Sequence, residues 1–182
     1  GLPINEILCS TNVNDVLRRF INGGVLEPLV TEPSVAPSMD IQIPSSLERL
    51  IYDLESDSAS FYTNLKKDNK SILSENGFEK LQQVFSSKTY DDDNIKKEIV
   101  SLNEKFNIIF DPHTVTSVRM ALDTNSNIPT VAIGTASPEK FSNVISPIVE
   151  NYPEISLDQK EEFINLDINS DEIVQSIKDK FE

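Results

Sequence analysis

The sequence predicts an α/β fold in which a partial parallel sheet is flanked by helices. Residues 108–110 and 131–133 are short apolar runs, typical of strands that are buried on both faces. Each run is followed by a polar turn and then by apolar residues at helical spacing. Successive units of strand, turn and helix imply a parallel sheet with right-handed crossovers, which sets the predicted fold class.

The first such unit lies near the amino terminus. Residues 7–10 are predicted to form a strand, and Asn12 with Asp15 is a capping arrangement for a helix that carries Phe20 inward. Two glycines at 23 and 24 end this helix. Thr11, Asn12, Asn14 and Asp15 therefore form the turn between strand and helix.

Residues 27–37 contain three prolines and are predicted to form an extended connection. Ser45 and Glu48 then resemble a capping box before a helix with one apolar face, so residues 1–54 are predicted to be strand and helix units joined by a Pro-rich loop. Asp40 and Arg49 fit either surface pairing or a role in function, and the sequence leaves this open.

Residues 55–107 are polar and predict a peripheral helical excursion, in which Gly77 interrupts one helical stretch that runs from Leu73 to Phe85. Aspartates 91–93 precede a second helical stretch. They lack the glycine and closing glutamate of a calcium loop, so a helix amino terminus that favours negative charge is the preferred interpretation.

Residues 108–150 are predicted to hold two strand and helix units, and the second contains the segment VAIGTASPEKF at 131–141. Gly134 ends the predicted strand, and Ser137 with Pro138 begins a helix. Thr135, Ala136 and Ser137 then lie between the carboxyl end of a strand and the start of a helix. Open α/β sheets bind ligands at this place.

Residues 151–182 predict carboxyl-terminal helices, with a capping box at Ser156 and Gln159 and a last helix that begins at Ser170.

His113 is the only histidine and follows Asp111 closely. A catalytic base is one interpretation, but no nucleophile lies near it in sequence, so a capping or packing histidine is favoured. No metal site is expected, because Cys9 alone supplies too few partner ligands.

The formal net charge of −14 disfavours nucleic acid and anionic membranes as partners. No apolar run approaches the roughly 20 residues that cross a bilayer, and no targeting segment is recognisable at the amino terminus. A single cysteine rules out an intrachain disulfide and fits a reducing compartment.

Four segments of the chain stand out together: GLPINEILCSTNVNDVLRRF at 1–20, SMDIQIPSSLERL at 38–50, DPHTVTSV at 111–118 and GTASPEKF at 134–141. In the same order, they resemble the motifs GLPI…ATNENDVLHRF, SMDI…SSNFERL, DPHTAVGV and G/S-T-A-H-P-A-K-F of the threonine synthases. These enzymes use pyridoxal 5′-phosphate (PLP) to convert O-phosphohomoserine and water to threonine and phosphate.

The chain departs from these motifs at several positions. Ser46 and Leu47 replace Asn-Phe, residues 115–117 read Val-Thr-Ser instead of Ala-Val-Gly, and Ser137 replaces His. Such changes could alter the lining of the active site.

The resemblance implies the carboxyl-terminal part of a fold-type II PLP enzyme with O-phosphohomoserine as its substrate. Together with the cysteine usage, it also implies a cytoplasmic location. Thr135 matches the position whose hydroxyl meets the pyridine nitrogen of PLP. Other residues of the matching segments are expected to line the active site: Thr11, Asn12, Asn14, Asp15, His113, Ala136 and Ser137. For Asn12, a purely capping role remains the alternative.

In this family the Schiff-base lysine lies upstream in an F-K-D motif, and a Gly-rich phosphate loop precedes GLPI. Neither motif occurs in the 182 residues, so we expect the chain by itself to be a fragment without activity. Strands of such a fragment would lack some neighbours of the larger sheet, and the exposed edges would favour self-association. The competing hypothesis is a non-catalytic acidic α/β domain, derived from a PLP enzyme, that binds a partner protein.

Overall fold

The computed structural model describes residues 3–124, 127–153 and 170–181. The chain divides into two compact units, Gly1–Tyr152 and Pro153–Glu182. The elements of the first unit, in chain order, are β1 (Ile7–Thr11), α1 (Val16–Gly23), β2 (Val25–Leu26), α2 (Leu47–Leu54), α3 (Ser58–Asp68), β3 (Ser71–Ile72), α4 (Glu75–Gln82), β4 (Phe85–Thr89), α5 (Asp92–Phe106), α6 (Pro112–Asp123) and α7 (Ser142–Ile145). Single 3₁₀ turns occur at Pro37–Met39 and Pro138–Phe141.

A parallel pair of strands confirms the predicted α/β class. β1 pairs with β4 in register from Ile7 opposite Phe85 to Thr11 opposite Thr89. A separate antiparallel pair joins β2 to β3, with Val25 opposite Ile72. The parallel sheet is flanked by helices, and α1 and α6 both pack against β1.

The predicted strands at 108–110 and 131–133 are wrong, because neither segment is a strand in the structure. A strand needs a hydrogen-bonded neighbour, and none of the described strands pairs with either segment. Burial on both faces is not observed either, since Ile108 is 50% exposed, Val131 83% and Ile133 71%, while Ile109 and Phe110 are half-buried. The helical parts of both units do form, as α6 and as the 3₁₀ turn that leads into α7.

The segment 55–107 is only partly the helical excursion that was predicted. It contains α3, α4 and α5, but it also supplies β4, the parallel neighbour of β1. Phe85, which was assigned to a helix, begins this strand, and Gly77 lies inside α4 instead of interrupting it. A Cβ atom at Gly77 would lie 2.5 Å from the Glu55 Oε1 atom and 3.2 Å from the Leu54 carbonyl oxygen, so the close approach of the end of α2 favours glycine there.

The predicted helix ends are partly correct. The Asp91 carboxylate accepts a hydrogen bond from the Asn94 amide at 2.7 Å and caps α5, which explains the aspartate run. Gly24 ends α1 with a φ of 69°, a left-handed conformation. The capping box at Ser45 and Glu48 is wrong, because α2 begins after Ser46 and no side-chain cap bond forms there.

Two hydrophobic clusters form the core of the first unit. One cluster packs helices α1, α2, α3 and α4 together. Its buried members are Val16, Phe20, Ile21, Leu26, Leu47, Ile51, Leu54, Phe61, Leu65, Leu73 and Leu81. The second joins α5, α6 and α7 to the loop before α2, with Ala36, Ile95, Ile99, Leu102, Val115, Ile145 and Val149 buried. The second cluster is the support beneath α6 and the segment that leads into α7.

The second unit contains the predicted last helix, α8 (Ser170–Phe181). Within it the Gln175 side-chain amide donates to the Asp179 carboxylate at 2.7 Å, an i, i+4 contact. The predicted capping box at Ser156 and Gln159 lies outside the described residues. Across 3–124, 127–153 and 170–181, no helix combines the length and apolar character that crossing a membrane requires.

Candidate functional site

The turn after β1 is bound to the Pro-rich loop by buried amides. Asn12 is fully buried, and its Nδ2 atom donates to the Asp40 carboxylate at 2.6 Å and to the Ser34 hydroxyl at 2.7 Å. Its Oδ1 atom accepts from the Asn14 amide at 2.9 Å and closes the turn. The predicted cap of α1 by Asn12 is therefore wrong, since the helix begins four residues later and Asn12 serves the loop instead.

Asp40 is the centre of this network. Its Oδ1 atom accepts from Asn12, from the Asn14 side-chain amide at 2.9 Å and from the Ser34 hydroxyl at 2.6 Å, and its Oδ2 atom accepts from the Ser34 amide at 3.0 Å. An ionised carboxylate accepts about four hydrogen bonds and donates none, so it suits this set of donors. Asn14 adds two bonds to the backbone of Glu32. We call residues 32–40 the anchored loop.

The two remaining residues of the turn also have partners within the chain. The Thr11 hydroxyl lies 2.8 Å from the Thr89 hydroxyl and joins β1 to β4. Asp15 forms ion pairs with Arg18 and Arg19. Burial opposes the ionisation of Asp15, but the hydrogen bonds from both arginines outweigh it and hold the pKa of this carboxyl below its usual value.

α6 begins at a cap built from Asp111 and His113. The Asp111 Oδ1 atom accepts from the backbone amides of His113 at 2.9 Å and Thr114 at 3.3 Å, and it lies 2.9 Å from the His113 Nδ1 atom. Burial opposes the ionisation of Asp111, yet the hydrogen bonds from His113 and Thr114 prevail and lower the pKa of its carboxyl. This agrees with the capping and packing role that the sequence favoured for His113.

α6 is tied to β1 at two positions that depart from the family motifs. The Thr116 hydroxyl donates to the His113 carbonyl oxygen at 2.8 Å, so the Ser10 hydroxyl, 2.8 Å away, is the donor in the Ser10–Thr116 contact. Thr116 stands where the motif DPHTAVGV has Val, and Ser10 stands where ATNENDVLHRF has Ala. The two polar replacements satisfy each other, so the contact keeps the junction between β1 and α6 intact.

The loop that contains Thr135 lies against the start of α6. A Cβ atom at Gly134 would lie 3.4 Å from the Thr114 side chain, so the loop passes directly over that residue. Thr135 and Ser137 are exposed and Ala136 is half-buried. The predicted side-chain cap by Ser137 does not form, although the 3₁₀ turn does begin at Pro138.

Two buried polar atoms at this junction have no hydrogen-bond partner. They are the Asp111 Oδ2 atom and the Thr114 Oγ1 atom, in residues that are 1% and 8% exposed. Such atoms are costly unless something pairs with them. The start of α6 therefore presents unused hydrogen-bonding capacity beside the Gly134 turn.

The structure thus brings the predicted residues together only in part. His113 and the Thr135 loop share one junction, through Thr114 with Gly134 and through the ring contact of His113 with Phe141. Asn12 and Asn14 are connected to this junction through the anchored loop. The Asp15 side chain instead contacts Arg18 and Arg19. Sequence reasoning missed the central role of Asp40, although the residue stands in the SMDI segment that signalled it. Among the described residues, no group of three His, Cys, Asp or Glu side chains could hold a metal ion.

No protein-family profile matches the chain. Threonine synthase from Pseudomonas aeruginosa is 30% identical over 151 residues, which is 80% of this chain and 32% of that protein. Threonine synthase from Corynebacterium glutamicum is also 30% identical, over 85% of this chain and 34% of its own length. The chain therefore spans about a third of the length of these curated relatives.

Solved structures give the same relationship. A crystal structure of PLP-bound threonine synthase from Brucella melitensis superposes with a TM-score of 0.82 at 28% identity, over 98% of this chain and 41% of that one. Threonine synthase from yeast gives a TM-score of 0.78 at 25% identity, over 87% of this chain and 36% of that one.

The lowered pKa of Asp111 predicts a pH-dependent contribution to stability. The folded-state pKa lies below the ordinary value of 3.8, so the contribution is present above that value and is lost as the pH falls through the folded-state pKa. We expect Asp111→Asn to lower the free energy of unfolding by about 1–3 kcal/mol at pH ~7, and by less at pH ~3. Urea unfolding at both pH values measures this difference, with Asp93→Asn on the exposed aspartate run as the matched control. A cost of Asp111→Asn that is equal at both pH values would contradict the prediction.

Proposed function

Because the chain belongs to the threonine synthase family and corresponds to the carboxyl-terminal part of those enzymes, we propose that it forms one wall of a PLP site. The proposed reaction of the whole enzyme is the conversion of O-phosphohomoserine and water to threonine and phosphate. The observation that carries this proposal is the junction of α6 with the Gly134 turn. Segments that resemble two separate family motifs meet there, beside two buried polar atoms without partners.

The residues at this junction fit a pyridine ring with an acceptor nitrogen. Thr135 is exposed at the end of the turn, and its hydroxyl can donate a hydrogen bond to an unprotonated ring nitrogen. A neutral hydroxyl, unlike a carboxylate, would not hold a proton on that nitrogen. PLP, when bound, supplies the electron sink for chemistry at the carbon atoms of the amino-acid substrate. We assign Thr135 as the residue that orients the ring, with Ala136 and Ser137 beside it.

In this proposal, the other residues that were predicted to line the site hold the surrounding backbone in place. The polar side-chain atoms of Thr11, Asn12 and Asn14 are engaged in hydrogen bonds that fix the end of β1 and the anchored loop. Asp15 holds its two arginines on α1. Such side chains fix the position of the residues that meet the ligand, and site geometry depends on a rigid support of this kind.

A cytoplasmic location and a tendency to self-associate belong to the same proposal. The single cysteine supports a reducing compartment, and burial raises the pKa of its thiol, which keeps Cys9 protonated and unreactive. The exposed apolar side chains at Ile108, Val131 and Ile133 support self-association of the isolated chain.

We expect the 182-residue chain alone to release no phosphate from O-phosphohomoserine. No phenylalanine of the chain is followed by Lys-Asp, so the lysine that the family uses to hold the cofactor has no counterpart here. Phosphate release by the purified chain with added PLP is the measurement, with the Pseudomonas aeruginosa relative as the positive control. Release above the background of a heat-treated sample would show that the assignment of the missing lysine is wrong.

Thr135→Val tests the proposed cofactor contact in an enzyme that joins this chain to the preceding part of the Pseudomonas aeruginosa relative. The substitution keeps the shape of the side chain but leaves the ring nitrogen without its donor, at a cost of about 1–3 kcal/mol. Turnover should fall about tenfold to hundredfold and cofactor affinity should weaken, whereas the visible absorbance should persist at saturating PLP.

The matched control for this experiment is Thr130→Val, because Thr130 is also an exposed threonine of the same segment and its hydroxyl donates locally to the Ile128 carbonyl oxygen. The control enzyme should keep the turnover and cofactor affinity of the parent. If Thr135→Val behaves like Thr130→Val, Thr135 is only a loop residue and the proposed contact is wrong.

A further inference from the structure

His113 contacts three separate segments of the chain. Its side chain is 6% exposed, and its Nδ1 atom lies 2.9 Å from the Asp111 Oδ1 atom. On the opposite side of the ring, the Ser38 backbone amide donates to the Nε2 atom at 3.1 Å. The ring also packs against Phe141, with 4.6 Å between the centroids. His113 therefore connects the start of α6 to the anchored loop and to the segment that precedes α7.

These contacts determine the protonation of the imidazole. A backbone amide can only donate, so the Nε2 atom must offer its lone pair to Ser38. The ring proton then lies on the Nδ1 atom, which donates it to the Asp111 carboxylate. Only the neutral ring with this tautomer satisfies both contacts.

A doubly protonated ring would keep one contact and lose the other. The Nδ1–H group would still donate to Asp111, but an Nε2–H group would face the Ser38 N–H group, and two donors cannot bond to each other. Of the three described residues in contact with the ring, Asp111 is the charged one, since Ser38 contributes a backbone amide and Phe141 an uncharged ring. Protonation of His113 therefore breaks the contact to Ser38 of the anchored loop and keeps the contact to Asp111.

We propose that His113 is a positioning residue whose neutral ring fastens the Pro37–Met39 turn of the anchored loop to the start of α6, and that protonation of the ring releases this turn. The release is local, because Asp40 holds the rest of the loop through Asn12, Asn14 and Ser34. The proposal goes beyond the proposed function. It rests on contacts within the chain, so the isolated chain tests it whether or not the whole enzyme is active.

The tautomer is measured first, on the unmodified 182-residue chain. Because His113 is the only histidine, ¹⁵N labelling gives a single imidazole to observe by NMR. At pH ~8 we expect the nitrogen that carries the proton to be Nδ1 and the nitrogen with the free lone pair to be Nε2. An Nε2–H tautomer, or a rapidly averaging mixture of both, would overturn the proposal without any need for a variant.

Two substitutions then separate the two ring contacts. The side-chain oxygen of Gln reaches about as far as Nε2 and can accept from Ser38, whereas Asn places its polar atoms near the Nδ1 position and cannot. Hydrogen exchange at the Ser38 amide should be roughly tenfold faster in His113→Asn than in the parent chain, which is the effect of one lost hydrogen bond. His113→Gln should stay within about twofold of the parent.

Acidification gives a further test, because the protection of the Ser38 amide would not depend on pH if His113 had only a structural role. Between pH ~8 and ~5, a range that brackets ordinary histidine titration, Ser38 should lose protection in the parent chain after correction for intrinsic exchange. In His113→Gln the protection should be independent of pH over this range. Equal Ser38 exchange in the parent and in His113→Asn, or the same loss on acidification in His113→Gln, would overturn the proposal.

Discussion

The Asp40 carboxylate is the interaction on which the arrangement of the candidate site depends. The side-chain amides of Asn12 and Asn14 are buried at the carboxyl end of β1, where they would be costly without acceptors. Asp40 accepts from both and from Ser34, and so fastens the Pro-rich connection across the end of the strand. The same loop brings the Ser38 backbone amide to the His113 Nε2 atom.

The carboxyl end of β1 is also held by β4 in the parallel sheet and by α6. Thr11 bonds to Thr89 on β4, and Ser10 bonds to Thr116 on α6, so β1 is fixed to both neighbours close to its last residue. The second hydrophobic cluster packs α5, α6 and α7 together beneath this contact. Rigid elements therefore carry the loop in which Thr135 is exposed. Rigid support with an exposed tip is the arrangement expected where a loop meets a ligand.

The sequence predicted the parts that depend on local periodicity. Ile95, Ile99 and Leu102 recur at helical spacing and are buried on α5, whereas Phe106, the fourth residue of that spacing, is 45% exposed. β1 was placed to within one residue. The predicted strands at 108–110 and 131–133 failed because an apolar run indicates affinity for a core but does not say whether a neighbouring strand exists. β4 was missed for the opposite reason, since its sequence FSSKT lacks an apolar pattern and is fixed by pairing with β1. The Asp40 network was also beyond local analysis, because its partners Asn12 and Asn14 lie 28 and 26 residues away.

A double-mutant cycle between Asn12 and Asp40 tests this central role most directly. The Asn12 Nδ2 atom lies 2.6 Å from the Asp40 Oδ1 atom, and both residues share the partner Ser34. Urea unfolding of the parent chain, Asn12→Ala, Asp40→Ala and the double variant gives the coupling free energy between the two side chains. We expect a coupling of about 1 kcal/mol or more, because each single substitution strands the other residue's polar group. Additive effects within about 0.3–0.5 kcal/mol would contradict the account, since they would mean that Asp40 does not hold the turn after β1.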